Sequence, residues 1–109
     1  MPLTKSFKET IRERAQTDPE FRVALLTEAV NSLLHGDIET GKRVIRDYIN
    51  ATVGFPELAD LTEKNPKSLM RMLSESGNPT AENLFAILSH LQHKEGVQLK
   101  AHSTHRSRR

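Results

Sequence analysis

Four times along the chain a proline stands beside a helix-opening position: Asp18-Pro19, Phe55-Pro56, Asn65-Pro66 and Pro79-Thr80. The first N–H groups of a helix have no internal partner, so proline is tolerated there, and Asp, Asn or Thr can cap the donors that remain. Between these marks apolar residues recur at a spacing of three to four. There is no long Val/Ile/Thr/Tyr alternation and no Asn-Gly hairpin turn. The expected fold class is therefore all-α, a bundle of five to six helices.

The periodicity predicts helices over residues 4–16, 19–34, 38–52, 56–63, 66–74 and 81–93. Phe7 and Ile11 are the large apolar side chains of the first. Val23, Leu26, Val30 and Leu33, widened by Leu34, form the stripe of the second, which His35-Gly36-Asp37 ends. The third is expected to bury Val44, Ile45, Tyr48 and Ile49. The fourth offers Leu58, Ala59 and Leu61, the fifth Leu69, Met72 and Leu73, and the sixth Leu84, Phe85, Leu88 and Leu91. Gly96 breaks the last helix, and Val97-Gln98-Leu99 is expected to form a short extended segment able to act as an edge strand.

A length of 109 residues suits one domain, expected over residues 1–99, and allows one modest core without staples. With no cysteine, disulfides and thiolate metal sites are excluded. No apolar run approaches the ~20 residues that span a bilayer, and the charged start lacks the apolar centre of a secretion signal, so a cytoplasmic protein without membrane partners is expected. The net charge of +2 is too small to announce a nucleic-acid binder. Its distribution is more telling: residues 100–109 hold four cations, two histidines and no acid, and are expected to be a disordered basic tail.

Residues 55–91, FPELADLTEKNPKSLMRMLSESGNPTAENLFAILSHL, carry the most information. Two short helices separated by about three residues, followed by a longer one, have the length pattern of a helix-turn-helix, here about residues 55–75. Ala59 falls where the two helices would cross, with Leu58, Leu61, Leu69 and Met72 spaced to fill the core around it. Lys67, Arg71 and Ser74 then share an outward face at i, i+4 and i+7, with Ser68 beside them. These side chains can donate to bases or phosphates, and the helix N-terminus behind Asn65 favours an anion. Lys64, Asn78 and Thr80 flank the helix as further phosphate contacts. Met70 lies off the apolar stripe, at a domain edge or against a thymine methyl.

At LADLTEKNPKSLMRML and SGNPTAENLFAIL the chain resembles the Cro/lambda-repressor type of helix-turn-helix. With two extra opening helices, over residues 4–34, it is similar to the HigA-like antidote proteins of type II toxin–antitoxin modules, the partners of RelE/ParE-fold toxins. The resemblance implies a lambda-repressor-like bundle that dimerises, binds double-stranded operator DNA, represses its own operon and holds a cognate toxin. On this pattern Leu58-Ala59 match the buried pair of the bracing helix and Asn65 the cap of the reading helix. Lys67, Ser68 and Arg71 match base-facing and phosphate-facing positions, and Pro79-Thr80 the start of the next helix. Two positions depart from it. Gly54-Phe55 stand where the family often has Thr-Gln, and Glu63-Lys64 stand where the turn usually has glycine and then an apolar residue. A non-glycine residue at positive φ costs ~1 kcal/mol, so a reshaped turn is expected.

Enzyme chemistry finds little support in the sequence, and no catalytic residue or cofactor is expected. His90 and His93 have helical metal-ligand spacing, but the nearest third ligand is Glu95. Ser74 and Ser76 lack a His–Asp pattern, no glycine-rich phosphate loop exists, and Asp18, Asp37, Asp47 and Asp60 are spaced like caps and surface residues. Residues 7–34 either complete the core or use Phe7, Ile11 and Phe21 to dock a partner, and periodicity leaves both open. A helical protein–protein interaction module that keeps the scaffold without reading DNA is the alternative function.

Overall fold

The computed structural model describes residues 6–106. Local chemistry sets most helix starts. Ser6 opens α1 (Phe7–Thr17) with a capping box: its hydroxyl accepts from the Glu9 N–H while the Glu9 carboxylate accepts from the Ser6 N–H. Asp18 caps α2 (Pro19–Leu34) and Asp37 caps α3 (Ile38–Ala51). Hydrogen bonds from the Thr40 hydroxyl and N–H hold the Asp37 carboxyl below the usual carboxylate range. After α4 (Gly54–Thr62), Asn65 caps α5 (Pro66–Met72) and Thr80 caps α6 (Ala81–Glu95).

The all-helical expectation is met: six helices and, among the described residues, no strand. The edge strand expected at Val97–Leu99 is corrected. Val97 and Leu99 are half-buried against the core, and the Leu99 N–H donates to the Gln92 side chain at 2.8 Å instead of to a neighbouring strand. Residues 100–106 carry no regular structure, and 101–106 are all exposed. The rest of the expected tail, with Arg108 and Arg109, lies outside the described residues, as do the first residues of the helix expected over 4–16.

One core runs through the molecule. It contains Leu26 and Ala29 of α2, Ile45, Tyr48 and Ile49 of α3, Phe55, Leu58 and Ala59 of α4, Leu69 of α5 with Leu73 just beyond it, and Leu84, Ile87, Leu88 and Leu91 of α6. Four expected core side chains prove exposed: Leu34, the last residue of α2, at 70 %, together with Leu61, Phe85 and Phe7; helical phase explains Leu61 and Phe85. The inward face of α4 is 55–58–59–62, which leaves Leu61 outside at 40 % exposure. The inward face of α6 is 84–87–88–91, which leaves Phe85 outside at 62 %. Phe7, at 78 %, sits in the first turn of α1, whose inward contributions are Ala15 and, half-buried, Ile11. Thus α2 completes the core, while α1 lies on it through α3 and α2 and keeps its phenylalanine in solvent.

A polar hub ties α2, α3 and α6 together. The Arg22 Nε donates to both Glu95 oxygens, at 2.9 and 3.0 Å, and its Nη1 donates to the Ala15 carbonyl at 2.7 Å. The Tyr48 hydroxyl donates to the same carboxylate. Burial, then this hydrogen bond to a carboxylate, push the Tyr48 phenol well above its usual range. Every ionic group there is partnered, so the neighbouring recess of about 380 Å³ offers no unsatisfied charge.

Candidate nucleic-acid interface

The α4–α5 unit is held by apolar contact and by two differently built ends. Ala59 is buried, which lets the helices approach, and Leu58, Leu69 and Leu73 fill the space beneath α5. The connection is residues 63–65. Lys64 N–H donates to the Ala59 carbonyl at 3.0 Å and Glu63 N–H to that of Asp60 at 3.4 Å, the paired bonds of a Schellman ending. Such an ending needs a left-handed residue. Glu63 supplies it at φ 56°, the one non-glycine positive φ among the described residues. The altered turn of the sequence is thus accommodated with its hydrogen bonds intact.

Asn65 Oδ1 then accepts from the Lys67 N–H at 2.8 Å, and Pro66 occupies the first helical position. From this start Lys67 and Arg71 project into solvent one turn apart, with Ser68 half-buried beside them and Met70 outside at 47 % exposure. Among the described residues no carboxylate pairs with Lys64, Lys67 or Arg71. The face is therefore cationic and open. Ser68, Arg71, Met72, Ser76, Gly77 and Asn78 line a shallow recess of about 360 Å³ between α5 and the loop that follows it.

One expected member of the face is corrected. The helix ends at Met72, so Ser74 leaves the i, i+4, i+7 line, and its hydroxyl donates to the Arg71 carbonyl at 2.7 Å. Ser74 closes the end of α5 instead of facing outward. Thr80 similarly spends its hydroxyl oxygen on the Asn83 N–H at 3.1 Å, although it stays exposed, as does Asn78. The structure brings Asn65, Lys67, Ser68, Arg71 and Asn78 around one helix and its exit loop.

Two residues of α3 belong to this unit and escaped the sequence reading. Lys42 is 1 % exposed, and its Nζ donates to the carbonyls of Ser74 at 2.9 Å and Gly77 at 2.7 Å while pairing with Glu39 at 3.0 Å. Arg46, one turn on, donates from Nη1 to the Leu73 carbonyl at 2.7 Å. A signal existed: Lys42 stands three and seven residues before Ile45 and Ile49, on the apolar stripe of α3. Gly77 is required at its place, because a Cβ there would lie 2.0 Å from the Arg71 carbonyl oxygen and 2.6 Å from that of Met72.

Other chemistry has less to stand on. His93 is exposed and His90 half-buried, whereas Glu95 turns inward to Arg22 and Tyr48, so the three do not converge. Among the described residues no three His, Cys, Asp or Glu side chains could hold a metal ion, and no helix is long and apolar enough to cross a membrane. In comparisons with known proteins, no family model, no curated protein and no solved structure matched the chain.

Proposed function

We propose that the protein is a sequence-specific, double-stranded-DNA-binding regulator of the lambda-repressor-like helix-turn-helix type, with α5 as the helix that enters the major groove. The observation that carries this reading is the unpaired cationic face of Lys67 and Arg71 on a short helix braced by α4 and capped by Asn65. Arginine and lysine are the side chains that best pair with guanine and with phosphate, and the polar start of a helix suits a phosphate. One helix of seven residues offers little contact, so two chains on a two-fold site, with α5 helices about 34 Å apart, complete the interface. Val97 and Leu99 are taken up by the chain's own core, which favours the outer face of α6, with Phe85, as the dimer surface. The resemblance to antidote proteins extends the proposal to repression of its own operon and to a RelE/ParE-like toxin partner. The exposed Phe7 of α1 is available to such a partner.

Selection of duplexes from a random-sequence pool, followed by gel-shift titration, tests the reading. Lys67→Ala and Arg71→Ala should each weaken binding to the enriched duplex while changing stability by less than about 0.5 kcal/mol, since exposed helix positions tolerate alanine. A residue that touches phosphate alone should weaken all sequences equally and lower the salt slope by ~1. If the double variant shifts the duplex as the parent does, α5 is not the reading helix.

A further inference from the structure

The seven-residue α5 is too short to keep a direction of its own, because isolated helices of two turns are unstable in water. Its direction is set by what grips its ends. At the C-terminal end the carbonyls have no partner inside the helix and carry the negative end of its dipole. At and just beyond that end, the carbonyls of the cap residue Leu73 and of Ser74 and Gly77 in the exit loop are held by cations from two successive turns of α3: Arg46 takes Leu73, and Lys42 takes Ser74 and Gly77. The three N–H donors of Lys42 are matched by three acceptors, the third being Glu39. Leu73 lies two residues after Arg71, and the Gly77 backbone sits against the Arg71 and Met72 carbonyls, so any shift of this loop carries Arg71 with it.

From this geometry we infer that Lys42 and Arg46 are positioning residues that set the angle at which α5 presents Lys67 and Arg71, and so determine sequence specificity without touching DNA. The inference rests on α5 being the DNA-facing helix. Lys42 is buried and bonded on every side, so it adds no phosphate contact; its effect runs through α5. A binding constellation loosened by about an ångström loses directional hydrogen bonds to bases before it loses attraction to phosphate. Removing the clamp should therefore lower preference more than it lowers non-specific affinity.

The test compares the parent with Lys42→Met, Arg46→Met and Arg71→Ala. Each is titrated with the duplex that the parent enriches from a random pool, and with a scrambled duplex of the same composition, at several salt concentrations. For Lys42→Met the ratio of the two affinities should fall about tenfold, the scale of one lost base contact, with the salt slope on scrambled DNA unchanged. The Gly77 amide, which donates to the Ser74 carbonyl, should exchange faster while those of Ile45 and Leu88 keep their protection. Arg46→Met should act in the same direction with smaller effect, and it decides the matter if Lys42→Met does not fold. A merely stabilising role would leave the ratio untouched in any variant that stays folded. If Arg71→Ala loses preference while both α3 variants keep it, the positioning inference falls and the DNA reading stands. If the parent enriches no sequence, the DNA reading falls and takes this inference with it.

Discussion

The two ends of α5 are secured by opposite means. Its entry is local: Glu63, Lys64, Asn65 and Pro66 arrange a left-handed turn, a side-chain cap and a preset φ within four consecutive residues. Its exit is held from afar, by Lys42 across 32 and 35 residues of sequence and by Arg46 across 27. A local device can be altered by a single substitution with a bounded effect, because each cap or turn contributes about 1 kcal/mol. A remote clamp couples the helix to the packing of α3, so its failure propagates. The entry gives α5 its start, and the exit gives it a fixed place on the body of the protein.

Three substitutions separate the two ends. Gly77→Ala should have the largest effect, a loss of about 3 kcal/mol in denaturant unfolding, since the added Cβ meets backbone oxygens that cannot swing aside. A neutral result would mean that the exit loop is free to move and that the contrast is overstated. Asn65→Ala at the entry should cost about 1 kcal/mol in the same measurement by orphaning the Lys67 N–H. A loss as large as that of Gly77→Ala would show the entry to be as tightly coupled as the exit. Glu63→Gly is the smallest and has the opposite sign, a gain of about 0.5 kcal/mol, because glycine adopts positive φ without a Cβ penalty. Calorimetry showing a loss would mean that Glu63 makes a contribution beyond its backbone conformation.

The Schellman endings elsewhere in the chain show why Glu63 is informative. After α2 and α6 the left-handed residue is Gly36, at φ 84°, and Gly96, at φ 77°, each with the same pair of backbone bonds. Both stops were readable in the sequence because glycine announces them. At Glu63 the same geometry forms without the announcing residue, and only the resemblance to a glycine-containing turn pointed to it.

The rest of the fold divides along the same line. Asp18, Asp37, Asn65 and Thr80 were legible as caps because a cap is a contract between neighbours in sequence. The stripes of α3 and α6 were legible in outline. The outward turn of Leu61 and Phe85 was not, because several phases of a helix rich in leucine fit the same three-to-four spacing and tertiary packing chooses among them. Of the candidate site, Lys67, Ser68 and Arg71 could be placed from spacing alone. Ser74 was misplaced because helix ends vary by a residue or two, and here the carbonyls beyond Met72 turn towards α3. Lys42 was passed over because a lysine is by default a solvated residue, and its burial depends on acceptors 32 and 35 positions away.

The hub at Glu95 also has a meaning in time. Arg22 and its carboxylate partner are 73 residues apart, and Glu95 is the last residue of α6. During synthesis from the N-terminus, α1 to α5 emerge while the Arg22 guanidinium and the Tyr48 hydroxyl still lack their shared carboxylate partner. Only when the final turn of α6 is made can one side chain join α2 and α3 and, through Arg22, the end of α1. Assembly of the six-helix bundle is thus completed by a latch that cannot close until α6 has been made to its last residue.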